Sequence, residues 1–538
     1  MLGQMQDWPL RVSRIIDHAA RYHAGRAIVS RDGDGVVRRA TWAGVRDGAL
    51  KAAQALTRLG LRRGDRVGVM AWNTARHLEL WYGVPGAGGV THSLNPRLFA
   101  DQLVYIVNHA EDRFLVYDAD LEGVVAAIAP RLETVEAFVR IGETDAPRID
   151  ALSYDALRDA EDADFAWVEG DEGEACGVCY TSGTTGDPKG VVYSHRSNVL
   201  HAMAMIQPDM LGLSSRDVLM PVVPLFHANG WSTAFSAPMA GAGMAMPGRN
   251  LTPPALFEML EQGVTITAAV PAVWLGLLDH LRREGLRFST LNRVVIGGSA
   301  CPRAVIEAFQ RDYGVTVLHA WGMTETSPLG SFASLKPEVA ALPPEARLDV
   351  QCKVGHPPFT VDLDLRDDFG EPVAWNGESR GRLVIRGPGV LKRYLKAERD
   401  ATDGAGWFDT GDVATMDALG YVRIVDRTKD LIKSGGEWIS SIDLENVAVA
   451  HPDVAEAAAV AVAHAQWGER PVLVVAPKPG AAPTRAALLA HMGRHFAPWQ
   501  LPDDVLFVEN LPHTATGKLS KLTLRRQLEA QGYRLPSA

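Results

Sequence analysis

The first 425 residues alternate between short apolar runs and segments with a helical pattern of apolar positions. Buried strands are predicted by the apolar runs at residues 66–72, 113–117, 264–270, 293–296 and 315–320. Helices are predicted at residues 75–82 and 100–109. Strands that alternate with helices favour sheets layered by helices, so the pattern predicts an α/β fold.

The composition changes near residue 426. The segment 423–433 is unusually charged, and Ser434-Gly435-Gly436 follows it. Beyond this segment the sequence predicts a helix and two strands, at residues 442–450, 457–462 and 505–508. We therefore expect residues 1–426 to form a large N-terminal domain of layered sheets and helices, and residues 427–538 to form a small α+β domain.

One loop stands out for its chemistry. Two apolar runs, 175–180 and 191–193, flank it and predict a strand–loop–strand hairpin. Its glycines let the backbone approach a ligand closely, consecutive amides form a nest for anions, and hydroxyls and a lysine add donors. The loop therefore suits an oligophosphate, although its glycine spacing differs from that of a Walker A loop. The loop reads Tyr180-Thr181-Ser182-Gly183-Thr184-Thr185-Gly186-Asp187-Pro188-Lys189-Gly190.

Two further loops follow directly on predicted strands. In open α/β sheets ligands lie beyond the carboxyl ends of the strands, so we expect these loops near a ligand. They are Gly297-Gly298-Ser299-Ala300 and Trp321-Gly322-Met323-Thr324-Glu325. Another Gly/Thr/Lys loop, Thr514-Ala515-Thr516-Gly517-Lys518, lies near the C-terminus.

Composition and charge narrow the class of protein. The chain has 538 residues, 47% of them hydrophobic and 22% charged, as in ordinary globular proteins. Its net charge of −10 argues against a nucleic-acid partner. The N-terminus lacks a long apolar core, and the longest apolar stretch, 263–278, is too short to span a bilayer. We therefore expect a cytoplasmic protein with no transmembrane segment.

The four cysteines argue against a disulfide framework. Cys176 and Cys179 form a C-x-x-C pair, but no second pair follows it. Both lie in a predicted strand, where residues three apart face opposite sides. We expect buried structural thiols rather than a metal or redox site.

Several motifs, in the order found in a known family, together resemble the adenylate-forming superfamily of acyl-CoA synthetases, adenylation domains and luciferases. The resemblance extends over nearly the whole chain. Within the superfamily the chain is most similar to bacterial medium- and long-chain fatty acyl-CoA synthetases and to 3-methylmercaptopropionyl-CoA ligases. The motifs that carry this resemblance are Tyr193-Ser194-His195-Arg196, Pro224-Leu225-Phe226-His227-Ala228-Asn229-Gly230-Trp231, His319-Ala320-Trp321-Gly322-Met323-Thr324-Glu325 and Lys433-Ser434-Gly435-Gly436-Glu437-Trp438-Ile439-Ser440-Ser441.

The resemblance implies a two-step reaction of a small carboxylic acid with ATP, Mg²⁺ and coenzyme A. The carboxylate attacks the α-phosphate of ATP, giving acyl-AMP and pyrophosphate, and the thiol of coenzyme A then displaces AMP. It also implies a mobile C-terminal domain and, as in many relatives, a homodimer, although the sequence leaves the oligomeric state open.

The resemblance assigns the nucleotide-binding residues. The β- and γ-phosphates would be held by Thr181, Ser182, Gly183, Thr184, Thr185, Gly186 and Lys189. Mg²⁺, which prefers oxygen ligands, would be held by Thr184 and Glu325. The adenine would stack on Trp321, where many relatives have Tyr, and would be bordered by Gly298, Ser299, Ala300, Gly322, Met323 and Thr324. The ribose hydroxyls would bind Asp412 and Arg427, since a carboxylate accepts two donors at once.

The remaining roles concern the reacting groups and the domain motion. Lys518 would be the catalytic lysine that bridges the substrate carboxylate and the α-phosphate, alongside Thr184 and Glu325. Lys429 would be the hinge of the small domain. The thiol channel would be formed by Gly435, Gly436, Glu437 and Trp438. The acyl pocket would be bordered by His227 and Trp231, for which simple core packing stays open as an alternative.

Other functions stay open at this point. The acid could be a fatty acid, 3-methylmercaptopropionate or an aryl acid, because the sequence does not give the depth of the pocket. A stand-alone adenylation enzyme that loads a carrier protein is a second class, although no carrier domain follows Lys518. A luciferase-like oxidase or an inactive binding module is a third, and the complete motif set argues against the inactive module.

Overall fold

A computed structural model describes residue 1 and residues 3–181, 187–435, 437–513 and 519–535. Contacts within the chain divide it into two compact units. Unit 1 consists of Met1–Asp362 and Ile385–Phe408, and unit 2 consists of Leu363–Val384 and Asp409–Ala538. The boundary expected between residues 426 and 427 stays a prediction.

The strands in the described part of the chain are β1 (Ala27–Arg31), β2 (Val37–Thr41), β3 (Arg66–Met70), β4 (Val90–Ser93), β5 (Asp112–Asp118), β6 (Ala137–Ile141), β7 (Leu152–Ser153), β8 (Ala175–Tyr180), β9 (Gly190–Ser194), β10 (Val218–Pro221), β11 (Gly243–Met246), β12 (Ile266–Ala269), β13 (Arg293–Ile296), β14 (Thr316–Gly322), β15 (Leu329–Phe332), β16 (Asp362–Arg366), β17 (Gly381–Arg386), β18 (Phe408–Met416), β19 (Val422–Arg427), β20 (Ile432–Ser434), β21 (Glu437–Ile439), β22 (Val454–His464), β23 (Gly468–Pro477) and β24 (Asp504–Phe507).

The α-helices are α1 (Ser13–Tyr22), α2 (Trp42–Arg58), α3 (Ala75–Gly86), α4 (Ala100–Ala110), α5 (Glu122–Ile128), α6 (Tyr154–Asp159), α7 (His195–Met205), α8 (Thr233–Ala240), α9 (Pro253–Leu260), α10 (Pro271–Glu284), α11 (Arg303–Glu307), α12 (Pro337–Ala340), α13 (Pro344–Gln351), α14 (Ser441–Val449), α15 (Arg485–Met492) and α16 (Lys521–Ala530). Short helical turns at Ala228–Ser232 and Thr324–Thr326 matter for the site described below.

Unit 1 contains two large sheets that are mostly parallel. One has eight strands in the order β15-β14-β13-β12-β10-β11-β1-β2, with antiparallel pairing at its two edges, β15 and β2. The other has seven strands in the order β7-β6-β5-β3-β4-β8-β9, with β9 antiparallel to β8. Since parallel strands end at the same edge of a sheet, each sheet has one edge where ligand-binding loops gather.

Both sheets are covered on their two faces, because buried side chains alternate along the strands. In β3, Val67 and Val69 pack into one hydrophobic cluster, while Met70 packs into the cluster on the opposite face. In β13, Val294 and Ile296 pack together, while Val295 packs into another cluster with side chains of α2, α3 and α8. Strands buried on both faces explain the continuous apolar runs in the sequence.

Unit 2 is built around smaller sheets. One has the order β16-β17-β18-β19 and the other the order β21-β20-β23-β22, with β24 added in parallel to β23. α14 and α15 pack on one face of the second sheet, where Leu444, Leu488 and Met492 are fully buried. α16 packs on the other face through Leu524 and Leu528.

The predicted fold class is confirmed. The predicted hairpin is formed by β8 and β9, and the predicted strand at 293–296 matches β13 at both ends. The predicted helix at 75–82 is longer in the structure, where it runs to Gly86. Cys176 and Cys179 are buried free thiols, as expected. Among the described residues, none of the helices combines the length and apolar character needed to cross a bilayer.

Three buried histidines make the stability of unit 1 depend on pH. Burial lowers the pKa of His77, His201 and His319 from 6.5 to about 4 in each case, because the charged ring loses its hydration. Between these values the unfolded chain binds protons that the folded chain does not bind. The contribution of these three rings to folding stability is therefore full above pH 6.5 and is lost as the pH falls toward 4.

Within that window we expect each of these histidines to lower the free energy of unfolding by about 1.4 kcal/mol for each unit that the pH falls. Urea denaturation at a series of pH values, followed by tryptophan fluorescence, measures the effect. Replacing His201 by Gln removes one titrating group and should make the decline between pH 6.5 and 4 less steep. An equally steep decline in this variant would show that His201 is not held neutral.

Candidate active site

The predicted phosphate loop is closed by hydrogen bonds between its two ends. The amide of Thr181 donates to the carbonyl oxygen of Lys189 at 2.9 Å, and the amide of Lys189 donates to Thr181 Oγ1 at 3.2 Å. Lys189 is exposed, so its ammonium is available to a ligand. The loop follows β8 at the carboxyl edge of the parallel part of its sheet, where β8 pairs with β4.

Glu325 lies in the short turn after β14. A Cβ on Gly322 would overlap the carbonyl oxygen of Pro328, so this close turn requires glycine. The hydroxyl of Tyr193 donates to the carbonyl oxygen of Thr324 at 2.7 Å and ties the turn to β9. Glu325 is 7% exposed, so its carboxylate is held in a defined position inside unit 1.

The segment 391–395 joins this turn to the phosphate hairpin. The amide of Leu391 donates to the carbonyl oxygen of Glu325 at 2.7 Å, and the amide of Leu395 donates to that of Gly190 at 2.8 Å. The hydroxyl of Tyr394 donates to Glu325 Oε1 at 2.7 Å. Lys189 Nζ lies 5.0 Å from the centre of the Tyr394 ring, within the range of a cation–π contact.

The environment keeps the tyrosines of this region protonated. Burial, followed by the charge of Glu325, raises the pKa of Tyr394 above its usual range. Burial also raises the pKa of Tyr193 far above its usual range. Both hydroxyls are therefore hydrogen-bond donors at neutral pH.

The predicted adenine-binding residues lie at the ends of neighbouring strands. β13 and β14 pair in parallel, so Gly298, which follows β13, and Trp321, near the end of β14, lie at the same sheet edge. Trp321 is 9% exposed, and a Cβ on Gly330 would lie 2.6 Å from its ring, so the indole packs closely over that glycine. Ser299 and Ala300 are exposed beyond β13.

The predicted acyl segment contains an unusual left-handed turn. Five consecutive residues, 228–232, have φ between 44° and 65°. L-residues pay roughly 1–2 kcal/mol each for this conformation, so neighbouring contacts must hold it in place. Asn229 Nδ2 donates to Asn198 Oδ1 at 3.1 Å, and Thr233 Oγ1 donates to the carbonyl oxygen of Gly230 at 2.6 Å.

The turn places Trp231 against Gly297, at the start of the loop that is predicted to border the adenine. Trp231 is 5% exposed and belongs to the largest hydrophobic cluster. A Cβ on Gly297 would lie 3.1 Å from Trp231 Cη2, so the indole edge packs on that glycine. His227, at the start of the turn, is half-buried. Both residues stay predictions as acyl-pocket residues.

In unit 2 the predicted ribose-binding pair is in contact. Asp412 on β18 and Arg427 on β19 lie opposite each other in the strand register. Arg427 Nε lies 2.9 Å from Asp412 Oδ1, and Asp412 is 2% exposed. The guanidinium therefore fixes the carboxylate in one orientation.

The predicted hinge, Lys429, is exposed in the turn that follows β19. Its neighbours on both sides are anchored. The amide of Thr428 donates to the carbonyl oxygen of Gly411 at 2.9 Å, while the carboxylate of Asp430 pairs with Arg525 of α16 at 2.7 Å. A change of backbone angles at Lys429 would thus move one anchored segment relative to the other.

A buried ion cluster includes Asp426, at the end of β19. Lys521 Nζ pairs with Glu445 at 2.8 Å and donates to Ser441 Oγ at 2.6 Å, and Ser441 Oγ donates to Asp426 at 2.6 Å. Burial raises the pKa of Glu445 to about 7, against the opposing effect of the Lys521 charge. The cluster fastens α16 to α14 and to the end of β19.

A large cavity of about 1600 Å³ opens in unit 2. It is bordered by the predicted thiol-channel residues Gly435 and Glu437 and by aromatic and basic side chains, among them Trp467, Trp499 and Arg525. Gly435 has φ of +61°, and its amide donates to the carbonyl oxygen of Trp467 at 2.9 Å. Trp438, on β21, is half-buried.

Several predicted site residues lie outside the described part of the chain, and their roles stay predictions. They are Ser182, Gly183, Thr184, Thr185, Gly186, Gly436 and Lys518. Within the described ranges, no group of three or more His, Cys, Asp or Glu residues is arranged to hold a metal ion.

Tyr394 belongs to none of the sequence motifs named above. It lies 69 residues from Glu325 along the chain, in a segment whose neighbouring charges suggest only an exposed loop. The single sequence signal is an aromatic residue among those charges. The partners of Lys521 were also missed, because neither Glu445 nor Ser441 belongs to a motif.

Unit 1 thus has the architecture of an α/β enzyme, with the predicted phosphate loop after β8 in one sheet, and Trp321 and the turn of Glu325 at the end of β14 in the other. Comparison with known proteins identifies the family. The profile of the AMP-binding enzymes matches residues 16–395, and that of their C-terminal domain matches residues 443–518.

The relatives are similar over their whole length. The 3-methylmercaptopropionyl-CoA ligase of Ruegeria pomeroyi is 49% identical over 98% of this chain and 99% of its own. The medium-chain-fatty-acid–CoA ligase of Ectopseudomonas oleovorans is 44% identical over 98% and 97%. The crystal structure of the anthranilate CoA ligase AuaEII with anthranoyl-AMP has a TM-score of 0.86 at 25% identity, covering 98% of this chain and all of that one.

The chain belongs to the family of AMP-binding enzymes. The predicted class of AMP-forming acid–thiol ligase is confirmed, and so is the adenylate-forming fold. The roles of the individual site residues stay predictions.

The position of Trp231 leads to a prediction about chain length. Because its ring packs between the acyl segment and Gly297, Trp231→Ala should change relative kcat/KM across a series of acids of increasing length by several-fold, with a smaller effect on the KM for ATP. Steady-state kinetics over the series measures this. An unchanged length profile with a lower melting temperature would favour simple core packing.

Proposed function

We propose that this chain is an ATP-dependent ligase that joins an unbranched short- or medium-chain carboxylic acid to coenzyme A through an acyl-adenylate. The observation that carries the proposal is the convergence of Lys189 and Glu325 on Tyr394, which brings a cation and a carboxylate to the mouth of a phosphate loop. A nucleotide triphosphate with a bound cation needs both groups.

In the first step the acid carboxylate attacks the α-phosphorus of ATP and pyrophosphate leaves. Lys189 and the amides of the loop hold the β- and γ-phosphates in line with the attack. Asp412, oriented by Arg427, accepts hydrogen bonds from the ribose hydroxyls. Lys518 stabilises the charge that builds up between the two anions. No general base is required, because a carboxylic acid is ionised at neutral pH.

The described residues fit Mg²⁺. Glu325 offers a hard oxygen donor, and Tyr394 holds only one of its two carboxylate oxygens. Mg²⁺ is usually bound by one or two carboxylates together with phosphates and water, so one protein carboxylate suffices, with Thr184 as the second candidate. When bound, the metal ion neutralises charge on the leaving pyrophosphate.

In the second step the thiol sulfur of coenzyme A attacks the acyl carbon, and AMP leaves with the bonding electrons. The cavity of unit 2 supports this step, because Gly435 and Glu437 border it together with Trp467, Trp499 and Arg525. Aromatic rings and guanidinium groups suit an adenine and its phosphates.

Two observations support a linear acid with an uncharged tail as the substrate. The similar ligases act, by their names, on 3-methylmercaptopropionate and on medium-chain fatty acids. In addition, residues 225–235 around Trp231 include no Asp, Glu, Lys or Arg. An uncharged linear tail is therefore favoured over a dicarboxylate.

A single assay tests the function. The purified chain is incubated with ATP, Mg²⁺ and 3-methylmercaptopropionate, butyrate, octanoate or benzoate, with and without coenzyme A, and AMP and thioester are measured. We expect thioester from the linear acids only when all components are present. Adenylate formation that ignores coenzyme A would favour a carrier-protein partner, and no AMP with any acid would contradict the ligase.

The cytoplasmic location and the homodimer stay predictions. Light scattering during size-exclusion chromatography would measure the mass of the particle, and a mass near that of one chain would contradict the dimer.

Lys518→Ala should separate the two half-reactions. Because the lysine stabilises charge only during adenylation, we expect adenylate formation to fall more than about 100-fold, while thioester formation from supplied acyl-AMP changes little. Lys518→Arg keeps the charge and serves as the matched control. Pyrophosphate release and thioester formation are measured separately, and equal losses in both would contradict the role.

Lys429→Pro should arrest the motion of the small domain. Proline fixes φ near −65°, so a hinge at this residue loses the freedom it needs. We expect adenylation to survive and thioester formation to fall about tenfold or more. Lys429→Ala removes the charge but keeps the backbone freedom. If the two variants behave alike in both half-reactions, Lys429 is not the hinge.

A further inference from the structure

Tyr394 is the side chain that contacts two of the groups assigned to ATP. Its hydroxyl lies 2.7 Å from Glu325 Oε1, and its ring face lies 5.0 Å from Lys189 Nζ. The two contacts use different parts of the same residue, so the hydroxyl can be removed while the ring is kept.

The backbone around Tyr394 fixes the residue in this place. The amides on either side, of Leu391 and Leu395, donate to the carbonyl oxygens of Glu325 and Gly190 at 2.7 and 2.8 Å. A Cβ on Gly190 would lie 3.1 Å from Leu395 Cβ, so the segment and the hairpin are in close contact. Tyr394 therefore does not depend on a ligand for its position.

The hydroxyl has a specific effect on the carboxylate. A hydrogen bond to an ionised group is stronger than one between neutral groups, so it restricts Glu325 to one rotamer. Oε1 accepts the bond from the hydroxyl, while within the described part of the chain no hydrogen bond or ion pair engages Oε2. A carboxylate that is oriented in advance loses less conformational entropy when a metal ion binds.

The ring has a different effect on the lysine. Lys189 and Glu325 carry opposite charges, and both contact Tyr394. Without the ring the ammonium could pair directly with the carboxylate, and each would then be neutralised before ATP arrived. The π face holds the ammonium through a weaker contact that phosphate oxygens can outcompete.

We propose that Tyr394 is a positioning residue that orients Glu325 toward the metal of the metal–ATP complex and keeps Lys189 separate from it for the phosphates. This assignment rests on the proposed function, since it presumes that Glu325 and Lys189 serve ATP. The hydroxyl orients Glu325, and the ring keeps Lys189 separate from it.

Calorimetric titration of ATP, with excess Mg²⁺ and with EDTA, tests both parts by binding alone. The Kd in EDTA divided by the Kd with Mg²⁺ gives the contribution of the metal. For Tyr394→Phe, which keeps the ring, we expect this ratio to fall about 3- to 10-fold, while the Kd in EDTA changes less than about twofold. For Tyr394→Leu we expect the Kd in EDTA to rise about 2- to 5-fold as well.

Tyr117→Phe is the matched control. It removes a hydroxyl that donates to the carboxylate of Glu122 at 2.6 Å in the same unit, and neither residue belongs to a motif assigned to ATP. We expect its ratio to equal that of the wild type. Circular dichroism and the melting temperature establish that each variant is folded.

A double-mutant cycle provides an independent measurement. If the hydroxyl acts through Glu325, Tyr394→Phe should not change the ratio further in a Glu325→Gln background. Equal losses of affinity with and without Mg²⁺ in Tyr394→Phe, or additive losses in the double variant, would overturn the assignment and indicate a general structural role.

Measurements on the wild type separate the role of Tyr394 from the proposed function. If the wild-type chain binds ATP more tightly with Mg²⁺ and Tyr394→Phe retains the full ratio, only the role of Tyr394 is overturned. If the wild-type chain shows no such dependence on Mg²⁺, the metal-binding part of the proposed function fails, and the role of Tyr394 with it.

Discussion

Parallel pairing of strands is the constraint on which the arrangement of unit 1 depends. β13 and β14 pair in parallel, and so do β4 and β8. In each sheet the loops that follow these parallel strands therefore lie at the same edge. Two backbone hydrogen bonds from the segment 391–395 then join a loop of one sheet to the hairpin of the other. The side-chain chemistry at Glu325 and Lys189 is a consequence of this backbone framework.

Much of the framework could be predicted from the sequence, because buried parallel strands are apolar on both faces and leave continuous runs. Residues 293–296 illustrate this, since prediction and structure agree at both ends. Helix α3 shows the limit. Gly83 and Pro85 suggest an early end, yet the helix continues to Gly86, because Gly83 allows close packing against the carbonyl oxygen of Ala49 on α2.

The candidate site could be predicted only where its residues belong to motifs. Asp412 and Arg427 are 15 positions apart and meet because two adjacent strands set their register. Tyr394 could not be placed in advance, because its contacts depend on tertiary packing that no local period encodes. The same holds for Lys521, whose burial beside Glu445 follows from the docking of α16 on the second sheet of unit 2.

The left-handed turn at 228–232 bears on how the proposed acyl pocket can evolve or be redesigned. Four of its five residues are not glycine, and each tolerates φ near +55° only because the surrounding packing holds it there. Valine, isoleucine or threonine introduced at these positions would add a branched Cβ to a backbone that already resists one. Libraries aimed at new acids would therefore yield more folded variants if they left this turn intact and varied the side chains that face it.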